Sequence, residues 1–316
     1  MSKNEFSKEQ MYYGGSQNRP SASTSLLTGP FRCLYEAGNI RYISAGDREL
    51  IRLIYPAVRD HNWGTIQPQI SNERIEKSEN QFQISYDCLY KEKEIHFQAT
   101  YRISGDAEGN FLFSLEGEAK STFQKNRIGF NVLHPPEVAG NKYRVGHTDG
   151  GQDVGYFPEN ISPDQPVMDI KTFAWNVGSQ WMEMAFEGDV FEMEDQRNWT
   201  DASFKTYSTP LSKPFPVTIE AGTKIYQKVK LKLENSVEQP VQDEKGIEAT
   251  VGSKKYPLPA IGIGHSSEYA NLDKQDIECL RPLRFSHYRF DVRFDVDDLE
   301  RNWKSAVEAC DQLNWS

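Results

Sequence analysis

Three consecutive runs of strict alternation constrain this chain more than any other feature. Phe82, Ile84, Tyr86, Cys88 and Tyr90 alternate with Gln81, Gln83, Ser85 and Asp87. Ile95, Phe97, Ala99, Tyr101 and Ile103 alternate with His96, Gln98, Thr100 and Arg102, and Phe111, Phe113 and Leu115 follow. A period of two puts one set of side chains on each face of a strand. The connections, Lys91–Glu94 and Gly105–Gly109, are short and polar, so the three runs read as an antiparallel meander with one buried face. Phe31–Glu36 and Ile40–Ser44 flank Ala37-Gly38-Asn39, a hairpin signal. A late run, Ile225–Glu234, alternates Val229, Leu231 and Leu233 with lysines. So many strands exceed what one open sheet holds, which gives a mainly β fold with a large two-sheet antiparallel sandwich. Phe82, Ile84, Tyr86, Phe97, Ala99 and Tyr101 are expected to face inward.

The pattern changes at both ends. Residues 1–29, rich in Ser, Asn, Gln and Gly, read as a flexible arm, and residues 30–238 as the sandwich. Residues 239–259, with Gln239-Pro240 and Pro257-Leu258-Pro259, read as a linker carrying a short strand near Ala249. Beyond it come a strand at Ala260–Gly264, a helix at Asp273–Leu280 capped by Asp273 and Asp276, and a strand at Phe285–Phe290. Asp297 then opens a helix with Leu299, Trp303, Val307 and Cys310 on one face. This rhythm over 260–316 is that of a parallel βα segment, the truncated start of a TIM-barrel-like domain. Two units are too few to close a barrel, so the chain reads as a fragment of a longer protein or a domain cut by a premature stop.

Composition removes whole classes of function. With 37% hydrophobic and 12% aromatic residues in 316, the chain can bury a full core. A formal charge of −10 argues against a nucleic-acid partner, which selects for Lys and Arg. No apolar window approaches the ~18 residues of a membrane span, and Met1–Pro20 lacks a signal-peptide core. Cys33, Cys88, Cys279 and Cys310 are scattered without metal-ligand spacing, so no metal and no cofactor is expected, and reduced thiols fit a cytoplasmic protein. The sequence leaves the oligomeric state open.

Nucleophile elbows, P-loops, dinucleotide fingerprints and HExxH motifs are absent. The chemistry-bearing residues fall between Ile128 and Tyr207. His134 ends an apolar run before Pro135, and reads either as a packed histidine or as a base. His147 stands two residues before Asp149, which could orient its ring, although Asp149-Gly150-Gly151 is also a turn signal. Phe191–Tyr207 interleaves Glu192, Glu194, Asp195 and Asp201 with Arg197, Lys205, Asn198 and Trp199. Such mixtures line polyol pockets, or form ion-pair networks bracing a sheet end. His265 closes the first strand of the C-terminal segment, where barrel enzymes place functional groups.

Val58-Arg59-Asp60-His61-Asn62-Trp63-Gly64-Thr65-Ile66, Gly129-Phe130-Asn131-Val132-Leu133-His134-Pro135 and Phe191–Tyr207 together resemble the D-apionate lactonase family. The resemblance runs from about Phe31 to the end. It implies a large N-terminal β domain, a central TIM barrel, a small C-terminal β domain, and hydrolysis of apionolactone to apionate in apiose catabolism. A lactonase needs a base for water, donors for the oxyanion and groups that hold the polyol. His134 or His147 could be the base, with Asp149 as orienter. Glu194, Asp195 and His265 complete the catalytic candidates. Arg197, Asn198, Trp199, Asp201 and Lys205 are the candidates for binding a small sugar-acid lactone. The competing reading is a non-catalytic carbohydrate-binding or accessory β domain of a glycoside-hydrolase-like barrel protein.

Overall fold

The computed structural model of the protein describes residues 21–178, 180–234, 250, 252–265, 272–292 and 299–315. The chain gathers into two compact units, Met1–Lys245 and Gly246–Ser316. Within the first, the strands are β1 (Ser23–Thr28), β2 (Phe31–Glu36), β3 (Asn39–Ala45), β4 (Arg48–Asp60), β5 (Pro68–Lys77) and β6 (Phe82–Glu92). Then come β7 (Ile95–Gly105), β8 (Phe111–Ala119), β9 (Phe123–His134), β10 (Lys142–Gly146), β11 (Gln152–Tyr156) and β12 (Val167–Ile170). The last are β13 (Thr172–Val177), β14 (Gln180–Glu187), β15 (Phe191–Asp195), β16 (Phe204–Tyr207), β17 (Val217–Ile219) and β18 (Lys224–Glu234).

These strands make two nine-stranded sheets. The first runs β1-β2-β3-β4-β9-β16-β15-β12, with β17 also on β9, and the second β11-β10-β13-β14-β18-β8-β7-β6-β5. All these pairings are antiparallel. The alternating residues of β6, β7 and β8 all face the interior, as their period requires. Tyr86 stacks on Tyr101 at 5.1 Å, and the core tyrosines keep their hydroxyls bonded: Tyr90 to Tyr101, and Tyr86 to the Gly38 carbonyl. Each such ring contributes apolar burial without stranding a polar atom. The β2–β3 turn uses Ala37 and Gly38, both at positive φ, as a two-residue hairpin of this twist demands.

The expected arm over residues 1–29 is corrected at its C-terminal end. β1 pairs with β2 along its whole length and buries Leu26 and Thr28, because Ser23–Thr28 alternates like any other edge strand. Residues 1–20 lie outside the described residues, as do the expected strand near Ala249 and the helix start at Asp297.

Strand β9 is irregular in two places. Arg127 pairs with Arg59 but Lys125 with Asp60, so Asn126 is one residue too many, a bulge. On its other edge β9 pairs with β16 at Asn131–His134 and with β17 at Phe123–Lys125. The buried Gln227 side chain bridges the gap, accepting from Phe130 N at 3.0 Å and donating to the Ile128 carbonyl at 3.2 Å. Gly129 lets it approach: a Cβ there would lie 2.6 Å from the Gln227 amide and 2.1 Å from Ser208 Oγ.

The second unit holds β19 (Gly262–Gly264), α1 (Lys274–Leu280), β20 (His287–Arg289) and α2 (Leu299–Leu313), with β19 and β20 parallel. The expected capping box is present: Asp273 accepts from Asp276 N, and Asp276 from Asp273 N. Two βα units cannot cover their own apolar faces, and the expected face of α2 stays partly open. Trp303 and Val307 stay 52% and 42% exposed, while Ala306, Ala309 and Leu313 are buried, a rotation of about one residue. Ala309 and Leu313 form the seam with Ile277, Tyr288 and Trp315, and Trp303 packs edge-on against Phe290 instead.

Candidate functional site

The first sheet has an inner face, set by the core, and an outer face turned away from the second sheet. Strand register decides which residues share the outer face. Tyr55, Asn131, Tyr207 and Glu192 stand directly opposite one another across β4, β9, β16 and β15. One step along, Leu53, Leu133, Lys205 and Glu194 form a second row. Arg59 and Arg127 pair toward the other end of β4 and β9. Residues two apart on a strand lie on one face, ~7 Å from row to row, so this polar set forms one patch.

Side-chain contacts join it into a cluster. The Arg127 guanidinium lies 4.1 Å from the Tyr207 ring centroid and 4.8 Å from that of Trp63. Trp63 packs edge-on against Phe215 at 5.1 Å. Its loop is fixed by Asp60, whose Oδ1 accepts from Asn62 N and Gly64 N. Lys205 Nζ is 2.9 Å from Glu194 and 5.1 Å from the Tyr207 ring centroid. The Tyr207 hydroxyl donates to Glu192, which also accepts from Leu211 N. Three cations, Arg59, Arg127 and Lys205, thus face two carboxylates, Glu192 and Glu194.

Burial pulls the Lys205 ammonium below the ordinary lysine range; Glu194 opposes this, and Arg59 and Arg127 add to it. Burial likewise raises the phenols of Tyr55 and Tyr207, with Arg59 and Arg127 respectively pulling the other way. Such a patch suits an acceptor-rich ligand: a carbonyl, an oxyanion or a carboxylate placed beside Lys205 and the arginines.

Only part of the expected set lies here. Glu194 and Lys205 do, and Asp201 is close enough to Tyr55 to help raise its phenol. His134 is 0% exposed on the inner face, its Nε2 at 2.9 Å from Thr206 Oγ1 and its ring edge-on to Trp175 at 4.9 Å. The base reading of His134 is corrected: it is a core histidine. Asp195 and Arg197 are corrected likewise. Asp195, 1% exposed, accepts from Arg197 Nε and Nη2 and from Ser162 N. The remaining Arg197 donors serve the carbonyls of Pro158, Glu159 and Asn160, so the guanidinium pins a loop rather than awaiting a carboxylate. Burial opposes ionisation of Asp195, but Arg197 and Ser162 outweigh it and lower its pKa.

Asp149 does not orient His147. It accepts from Gly151 N within the turn, while His147 contacts the Asp169 carbonyl at 3.0 Å and Asp153 at 3.1 Å. Burial lowers the His147 pKa, but these acceptors outweigh it and the net shift is upward. Asn198 and Trp199 sit on a 3-10 turn that ends at Thr200 in the left-handed region, with Trp199 68% exposed. Asp201 accepts from Ser203 Oγ. His265 belongs to the second unit, where its ring lies edge-on to Phe290 at 5.0 Å. Among the described residues, no group of three or more His, Cys, Asp or Glu side chains could hold a metal ion, and no helix is long and apolar enough to cross a membrane.

His134 makes stability depend on pH. Burial pushes its pKa from 6.5 down to about 3. Between those values the unfolded chain binds the extra proton, so stability falls as pH is lowered from 6.5 toward 3. Urea denaturation should show roughly 1.6 kcal/mol lost from this group between pH 6.5 and 5. His134→Gln should remove that component; an unchanged pH slope in the variant would contradict the assignment.

Tyr55, Arg59, Trp63, Arg127, Asn131 and Tyr207 were not singled out by chemistry in the sequence, and Glu192 only as part of the charged block Phe191–Tyr207. The available signal was Gln124–Asn131, where polar residues interrupt an apolar strand without a turn residue to explain them.

A family model described as the D-apionate lactonase N-terminal domain matches residues 11–236. A D-apionate lactonase from Brucella anthropi is 32% identical over 275 residues, covering 85% of this chain and 45% of that protein. The chain therefore spans about half the length of this curated relative. Among solved structures, a putative aldose 1-epimerase from Escherichia coli K12 is 9% identical with a TM-score of 0.44, covering 67% of this chain and 99% of that one. Galactose 1-epimerase from Lactobacillus acidophilus NCFM is 8% identical with a TM-score of 0.46, covering 69% and 96%. Both are distant likenesses. The sequence matches are of another order, and by them the chain belongs to the D-apionate lactonase family.

Proposed function

We propose that this chain is the N-terminal part of a protein that hydrolyses a small sugar-acid lactone, apionolactone foremost, in the catabolism of apiose in the cytoplasm. The observation that carries the reading is the 32% identity to a D-apionate lactonase over most of the chain. Residues 260–316 are then the opening of a βα barrel, consistent with the parallel pairing of β19 and β20 around α1.

The outer-face cluster takes the polar end of the substrate. Water adds to the lactone carbonyl carbon, the carbonyl electrons move onto oxygen, and Lys205 and Arg59 face that developing oxyanion. Collapse breaks the ring C–O bond, and the ring oxygen leaves as a hydroxyl with a proton from the attacking water. Glu194, beside Lys205, is placed to carry that proton. The carboxylate product leaves a cationic surface.

The test is acid release from apionolactone and other aldonolactones by the longer protein, followed at constant pH with spontaneous hydrolysis subtracted. Apionolactone should be opened, and the 316-residue chain alone should be weakly active or inactive. Acid release from none of the lactones would overturn the reading and leave the accessory carbohydrate-binding domain in its place.

A further inference from the structure

A cavity of about 410 Å³ opens where β9, β17 and β18 meet, with Lys125, Asn126, Asp189, Thr209, Lys213 and Gln227 in its wall. We propose that it binds a small hydroxycarboxylate, with the carboxylate on Lys125 and a neighbouring hydroxyl on Asn126.

Two observations point to a ligand independently. Asn126, the extra residue of the β9 bulge, is 3% exposed, and neither its Nδ2 nor its Oδ1 has a hydrogen-bond partner. An unsatisfied buried polar atom costs about 1–3 kcal/mol, and here both ends of one amide are left over. A regular strand would have no such residue, and bulges recur where a side chain is re-aimed toward a site. Lys125 is 9% exposed, and among the described residues it forms no ion pair. The carboxylate that acts on it, Asp189, is already engaged by Lys213 and Thr209, each at 2.8 Å.

The wall defines the occupant. Lys125, Lys213 and Lys224 against Asp189 leave a positive balance, which calls for an anion. The Asn126 amide offers both a donor and an acceptor, so the group beside that charge must itself both accept and donate. A carboxylate next to a hydroxyl supplies this; a simple carboxylate lacks the donor. The volume falls within the roughly 300–1,000 Å³ range of small-molecule pockets and accommodates five or six carbons. The ligand class comes from these residues alone and is independent of the lactonase reading.

Isothermal titration of the full chain with D-glycerate and D-gluconate, against propionate and inorganic phosphate, tests this. A hydroxycarboxylate should bind about tenfold more tightly than either comparator, and Lys125→Met and Asn126→Leu should each weaken it about tenfold. Binding that falls in Lys205→Met but persists in Lys125→Met would place the ligand on the outer face of the first sheet and overturn the proposal. Absence of hydroxycarboxylate binding by the folded wild-type chain would overturn the proposal. Binding equal to that of phosphate, or undiminished in folded Asn126→Leu, would do the same.

Discussion

Asp195→Ala should lower the melting temperature of the protein by roughly 6 °C or more while leaving any lactone turnover per folded molecule unchanged. Asp195 carries a fully buried carboxylate in a bidentate pair with Arg197, and Arg197 in turn holds the carbonyls of Pro158, Glu159 and Asn160. The guanidinium also lies 4.5 Å from the Phe204 ring centroid. Removing one partner of such a pair strands the other without compensation, at about 3–5 kcal/mol. A domain of this size loses roughly 2–4 °C per kcal/mol. Arg197→Ala should act in the same direction, since it leaves the Asp195 carboxylate buried with only backbone donors. Thermal unfolding followed by circular dichroism measures both. A melting temperature unchanged in both variants would contradict the structural assignment; lost turnover in folded protein would return them to the chemistry.

The same pair shows what a sequence can and cannot display. Asp195 and Arg197 are two apart, so on an ideal strand they would share a face and address one ligand. The strand ends between them, and Arg197 belongs to a 3-10 turn in which its own N–H is capped by the Asp195 carboxylate. Charge interleaving looked like a pocket because bracing and binding draw on the same residue types. The meander over β6, β7 and β8 was legible because its information is local: each apolar residue declares its face through its neighbours. The outer-face rows are not local. Tyr55, Asn131, Tyr207 and Glu192 come from four strands brought together by register alone, and no periodicity within one strand encodes that. His134 failed for a related reason: its place opposite Phe204 turns it inward among Phe157, Phe173 and Trp175.

Lys205→Met should cost the longer protein about 100-fold or more in kcat/KM for lactone hydrolysis, the scale of losing one oxyanion donor. Methionine keeps the length and apolar stem of lysine, so the row of Leu53, Leu133 and residue 205 still packs. Glu194, the partner left behind, is half-buried and can be hydrated. Melting should therefore move little, and Lys205→Arg should restore part of the rate by returning a donor. The most direct measurement is the ratio of apionolactone kcat/KM between wild-type and Lys205→Met longer protein, with folding matched by melting temperature. A ratio of about 100 or more supports the outer face of the first sheet as part of the lactone site. A ratio of about one, in folded protein, places the chemistry elsewhere.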